Sequence, residues 1–151
     1  MKKIFKFILI LFPWFIGGLL FRSDTIFYNN INKPSFAPPS ILFPIIWTIL
    51  YILIAISIYL IYKNNDFKDT PNYNKTLLIN YVSNQIFSFF FFTIKSPFLA
   101  LIDTIIVFIS SLFLYYESKE LNKLSAKLLI PYIIWNLFAT ILIITIFFMN
   151  I

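Results

Sequence analysis

Three stretches carry polar or ring side chains at helical spacing inside otherwise apolar runs. Asn80, Asn84 and Ser88 recur every fourth residue and so share one helix face, with Phe87 and Phe91 beside it. Trp47, Tyr51 and Ala55 repeat that spacing earlier, and Tyr132, Trp135, Ala139 and Ile143 form a stripe near the end. Polar groups are costly in lipid. An amide there either bonds to another helix, at ~0.6 kcal/mol a bond, or meets the polar edge of a ligand. For Asn84 the two readings are balanced. Rings and small residues on a helix face are more commonly ordinary packing than a ligand site. Here the two tryptophans would give flat walls, Ala139 would leave room beside them, and one amide would orient what lies between. Those are the needs of a flat apolar ligand with a few polar edges.

Asp103 is the only acid well inside an apolar run, and an acid there is a functional candidate. It stands about five residues into its segment, where a hydrated or capping role serves equally well. No second acid accompanies it, so paired-carboxylate chemistry and a proton relay lack support. The chain has no histidine and no cysteine. That excludes thiol chemistry, disulfides, imidazole bases and most transition-metal or haem-iron ligation. No metal site and no resident cofactor is expected.

These residues need a membrane to hold them. Hydrophobic residues make up 60% of the chain and charged residues 12%, against roughly 25% charged in a soluble domain. Five apolar segments, about 4–22, 41–62, 76–94, 98–118 and 126–149, each approach the ~20 residues that cross a bilayer as a helix. Alternation of period two is absent, so they are helices and not barrel strands. The expected fold is all-α: a bundle of five transmembrane helices forming one membrane domain over 1–151. Lys2, Lys3 and Lys6 before the first run resemble a secretory signal. The run lacks a small-residue cleavage pattern and further spans follow, so it reads as a retained helix. No inverted repeat and no broken helix is visible, which argues against many carrier architectures.

The connection at about 22–40 is long for a bundle, and long connections are commonly lids or binding loops. Lys33, Pro34, Phe36, Pro38 and Pro39 fall in it. Its prolines exclude regular helix over 33–39 and stiffen the chain, so a lid is expected over the outer end. Lys63–Asn74 and Ser118–Ser125 read as plain solvated loops, and Lys95, Ser96 and Pro97 as a tight turn. With the N-terminus inside, nine lysines lie on the inner side against Arg22, Lys33 and Lys95 outside. This predicts a cytoplasmic-membrane protein with its N-terminus in and its C-terminus out. The net charge of +6 is then explained by topology and anionic lipid headgroups. No nucleic-acid partner is expected.

Three motifs resemble those of one family. FYNNINKPSFAPPSILFPIIWTILY resembles the pattern WYxxLxKPSWxPPxWxFxxxWTxLY, SNQIFSFFFF resembles LNxxWxxxFF, and IPYIIWNLFATILIITIFFMN resembles PYxxWxxFAxxLNxxIWxLN. These belong to the TspO/MBR family, the tryptophan-rich sensory proteins related to the mitochondrial translocator protein or peripheral benzodiazepine receptor. The resemblance spans nearly the whole chain. It implies a homodimer of five-helix bundles with a pocket under the first loop. It implies binding of porphyrins and related tetrapyrroles, isoquinoline-type drugs and, in animal members, cholesterol. Carried over by position, the pocket would contain Trp47, Tyr51, Asn84, Phe87, Phe91, Trp135, Phe138 and Ala139. The resemblance also implies an alternative activity in some bacterial members, light-dependent porphyrin degradation, with Trp47 and Trp135 as the redox-active pair. A tetrapyrrole transporter is a further alternative. Phe27, Phe36, Ile41, Phe87 and Phe147 replace family tryptophans, and Ile143 replaces an asparagine, so this pocket is less polar. The family's sterol motif is missing from the last helix.

Overall fold

A computed structural model describes residues 2–151, and among them the chain is helical with no strand. The first apolar segment is not one helix. Pro13 has no N–H and clashes with the preceding turn, so α1 (Lys2–Leu11) gives way to a 3₁₀ turn, Phe12–Phe15, before α2 (Ile16–Leu20). This corrects the expectation that no span is broken. The two halves part company: α1 packs on the second long helix, α4 (Leu42–Asn64), whereas α2 packs on the third, α5 (Pro71–Ser88).

The connection between α2 and α4 holds a short helix, α3 (Thr25–Asn30), within the stretch read as loop. Asp24 caps it, accepting from the Phe27 N–H at 2.8 Å. The prolines that follow keep 33–39 non-helical. Pro71 opens α5 at its first turn, where a missing N–H costs nothing, so the helix begins five residues before the apolar segment does. A π turn, Phe89–Thr93, ends it, and Lys95 then adopts a left-handed φ of 58°. Ser96 caps α6 (Pro97–Leu121), accepting from the Leu99 N–H at 3.3 Å. Asn122 caps α7 (Lys123–Leu128), and α8 (Ile130–Met149) follows after Leu129, with Pro131 in its first turn.

Neither polar connection is merely solvated. Thr70 is buried, and the side chain of Asn74 accepts from Tyr62 and Thr70. Helix α6 runs three residues past Ser118, and Ser118 and Ser125 are both fully buried. Ser125 and Ser57 donate to each other's carbonyl at 3.0 and 3.1 Å, closing α4 onto α7. Small hydroxyl side chains let the backbones approach, which their polar character alone does not reveal.

Among the described residues, four stretches are long and apolar enough to cross a membrane: Lys3–Leu20, Leu42–Asn64, Pro97–Leu121 and Lys123–Met149. The fifth expected span is α5, whose asparagines and lysine keep it off that count. Large apolar side chains face outward, among them Ile49 at 54%, Leu78 at 62% and Ile134 at 63% exposure. Two clusters fill the interior. One joins Trp14, Leu50, Ile54, Val107 and Tyr132; the other joins Tyr28, Phe91, Ala100, Leu142 and Ile146.

Candidate functional site

Between these clusters lies a cavity of about 290 Å³, at the lower end of the range for small-molecule sites. It draws on every long helix. Trp47 and Tyr51 come from α4, Asn84 and Phe87 from α5, Phe91 from the π turn, Thr104 and Val107 from α6, and Trp135, Asn136 and Ala139 from α8. Seven of the eight positions carried over from the resemblance therefore converge. The eighth, Phe138, stands behind the wall. Its ring lies 5.2 Å from Trp135 and 6.3 Å from Phe36 of the loop.

The walls are built ring on ring. Trp47 lies 5.4 Å from Tyr51 and 6.2 Å from Tyr132, and Phe87 stacks on Phe91 at 5.6 Å and 15°. Phe43 bridges loop and bundle, edge-on to Tyr28 at 5.2 Å and to Trp135 at 6.1 Å. Such contacts fix ring planes as well as burying area. Phe91 reaches the cavity from within the π turn, and such turns recur at functional sites.

Below the cavity runs a hydrogen-bonded chain through all the long helices. The Gly17 N–H donates to Gln85 Oε1 at 2.7 Å, and Gln85 Nε2 donates to Asn84 Oδ1 at 3.0 Å. Tyr51 donates to the same Asn84 oxygen at 2.9 Å, while Asn84 Nδ2 donates to the Tyr132 hydroxyl at 3.2 Å. Tyr132 donates to Asn80 Oδ1 at 2.9 Å, and Asn80 Nδ2 donates to Ser110 Oγ at 2.9 Å. Both roles weighed for Asn84 are thus present: it lines the cavity, but its amide is engaged in tying helices together. The unmet donors sit elsewhere. Trp135 Nε1 and Asn136 Nδ2, on two adjacent cavity-lining residues, have no partner.

The loop lines the cavity only through Ser23, Thr25, Tyr28 and Ser40. Lys33, Pro34, Phe36, Pro38 and Pro39 lie outside the cavity wall; Tyr28 and Ser40 are the residues from 26–40 that reach it. Tyr28 is buried and donates to the Pro38 carbonyl at 2.7 Å, and burial pushes its phenol up from its usual range. Lys33 Nζ donates to the Asn29 carbonyl at 2.9 Å and stands over the Tyr28 ring. Two ties hold the loop down. Asp24 and Lys95 pair at 3.0 Å, and Asn150 Nδ2 donates to the Asn32 carbonyl at 2.8 Å while its oxygen accepts from the Asn32 N–H at 3.2 Å.

Asp103 is buried at 3% exposure, with Oδ2 unpartnered, and does not line the cavity; its neighbour Thr104 does. Ser96, and not Asp103, caps α6. Among the described residues no group of acids, histidines or cysteines is arranged to hold a metal ion.

The family profile described as TspO/MBR matches residues 7–149. The chain belongs to the TspO/MBR family. TspO relatives match at nearly full length. The tryptophan-rich protein TspO of Bacillus cereus is 41% identical, covering 99% of both chains. An uncharacterized membrane protein, YtaB, of Bacillus subtilis is 40% identical over 89% of this chain and 86% of its own. The tryptophan-rich protein TspO of Archaeoglobus fulgidus is 31% identical, with 89% and 88% covered. Membership and the apolar helices together make this an integral membrane protein with an all-α bundle.

Several TspO cavity residues escaped sequence reasoning. Asn136, which lines the cavity, forms with Thr140 outside it a polar i, i+4 pair in an apolar span, a signal of the same kind as Asn80 and Asn84. Gln85 was legible as Asn84's neighbour. Phe43 and Tyr28 fall on the F and Y of the first family pattern, but their ring type alone marks nothing in so phenylalanine-rich a chain.

Proposed function

We propose that this TspO protein is a membrane receptor or sensor whose intrabundle cavity holds a porphyrin or similarly flat, apolar ligand. The observation that carries the reading is the cavity itself, with ring walls from three helices and unmet N–H groups on Trp135 and Asn136. Trp47 and Trp135 both line the cavity and offer flat faces to such a ring, and an acceptor on its edge would answer the unmet donors. Titration with protoporphyrin IX in nanodiscs is the test. Saturable quenching of tryptophan emission is expected, weakened by Ala139→Phe; quenching that rises linearly with ligand and ignores Ala139→Phe rejects the reading.

A second reading, light- and oxygen-dependent porphyrin degradation, is favoured by one fact: both tryptophans that would supply electrons line the same cavity. Illumination of the complex under air separates the two. Product formation lost in Trp47→Phe and Trp135→Phe supports an enzyme; quenching without product supports the receptor.

The proposed orientation places the N-terminus and the Lys63, Lys68, Lys119, Lys123 and Lys127 end in the cytoplasm, following the positive-inside rule. Since the chain has no cysteine, single-cysteine variants at Asn65 and Ser35 report the side directly. Impermeant thiol reagents should label Ser35→Cys alone in intact cells.

A further inference from the structure

We propose that ligands reach the cavity sideways from the bilayer, through a slot between α2 and the first turns of α4. The proposal rests on the reading of the cavity as a ligand site. Five cavity-lining residues are exposed: Gly18, Ser23, Thr25, Pro44 and Thr48. All lie on α2, the start of the loop, or α4. Every lining residue from α5, α6 and α8 is buried or half-buried. The mouth is therefore on one side of the bundle.

Its origin is the broken first helix. The Pro13 turn lets α1 stay on α4 while α2 leans onto α5, which parts α2 from α4. Gly17 and Gly18 divide the labour. A Cβ at Gly17 would come within 2.6 Å of the Gln85 carbonyl oxygen, so glycine is required there for close approach. A Cβ at Gly18 would meet nothing within 4 Å, so that glycine serves no contact; its missing side chain leaves the slot open.

The flanks face lipid. Leu19, Leu20, Ile45 and Ile49 beside the slot are 63%, 68%, 51% and 54% exposed. The one hydroxyl at depth, on Thr48, is satisfied on its own helix by the Pro44 carbonyl at 2.7 Å. At the depth of Thr48 a membrane-dissolved molecule therefore meets no unpaired hydroxyl. The water end is fastened at the same time by Tyr28 on Pro38, Asn150 on Asn32 and Lys95 on Asp24.

The first test needs no ligand. A chain carrying Trp14→Phe and Trp135→Phe keeps Trp47 as its sole tryptophan. In nanodiscs of phosphatidylcholine with brominated acyl chains, Trp47 emission should be quenched, and Gly18→Leu should remove at least half of that quenching. Trp14 alone, 2% exposed, sets the baseline. Quenching of Trp47 no greater than that baseline, or indifferent to Gly18→Leu, overturns the slot. The second test uses the otherwise native chain and protoporphyrin IX in stopped flow. Because Gly18 lies on the exposed rim of the cavity, the variant is read by its kinetics: with Gly18→Leu, association and dissociation should both slow, by about tenfold, whatever happens to Kd. Thr48→Phe should do the same from the opposite side. A disulfide between Asn32→Cys and Asn150→Cys, which shuts the loop, should leave the rate unchanged. Binding at an unaltered rate in Gly18→Leu rejects the slot and keeps the receptor. Quenching relieved by Gly18→Leu, with no protoporphyrin binding in any variant, keeps the slot and rejects the receptor. Leucine replaces glycine here at a helical position of ordinary φ, which favours folding.

Discussion

Ala139 is small where its neighbours are large, and that contrast makes space beside Trp135. Ala139→Phe should fill it, lowering ligand affinity by about 1–3 kcal/mol, as overpacking does in cores. Isothermal titration with protoporphyrin IX checks this, and unchanged affinity removes Ala139 from the site. Tyr132 is the opposite kind of residue, fully buried and giving and receiving one hydrogen bond. Tyr132→Phe keeps the ring but strands Asn80 Oδ1 and Asn84 Nδ2, at a cost of about 1–3 kcal/mol in stability. Thermal unfolding in detergent should show it, with ligand affinity changed far less. The single residues were the most legible part of the sequence. Asn84, Trp47 and Trp135 stand out because amides and indoles are few within the apolar segments, among so many Ile, Leu and Phe. Spacing marked their shared faces, but only the fold could say that Asn84's amide is occupied and Asn136's is not.

At the scale of the element, proline and glycine decide more than hydropathy does. Hydropathy located the apolar segments yet was blind to the Pro13 break, since a 3₁₀ turn of Phe, Pro, Trp and Phe is as apolar as a helix. It also began α5 too late, because Asn72, Asn74 and Lys75 read as loop when Pro71 had already started the helix. Gly17→Ala should be damaging despite its chemical mildness. The added methyl would push α2 from α5, costing about 1–3 kcal/mol, and the Gly17 amide would lose Gln85. Gly18→Ala is the matched control, expected neutral or slightly stabilising. For α3 the cap is electrostatic as well as geometric. The Phe27 N–H, and then Lys95, hold the Asp24 carboxyl below its ordinary value of 3.8. An acid whose folded-state value is depressed contributes above its unfolded value and is lost as pH falls through the folded one. The cap is therefore complete above about pH 4 and is lost only as pH falls further, through the lower folded-state value. Hydrogen exchange at the Phe27 amide should be protected at neutral pH and released in acid, and Asp24→Ala should release it at every pH.

Across the whole molecule, the outward apolar surface and the inward polar chain invert the pattern of a water-soluble bundle. Burial of amides and serines at the centre keeps neighbouring helices in register where apolar contacts alone would let them slide. Composition alone foretold this inversion. It could not foretell which helices touch, because a membrane helix offers lipid and protein faces of similar hydropathy. The ties at the loop end are long-range ones, Asn32 to Asn150 and Asp24 to Lys95. Asn150→Ala should leave the unfolding temperature nearly unmoved while speeding proteolysis within 25–40, since exposed hydrogen bonds add little globally but restrain a segment locally.

The Asn32–Asn150 contact has a practical side. It couples residues 118 positions apart in sequence, so the last turn of α8 senses how the loop sits. A fluorophore attached at Ile151, which is 82% exposed, would register loop lifting as a change in its surroundings. A bulky fusion attached there would itself bias what it was meant to observe.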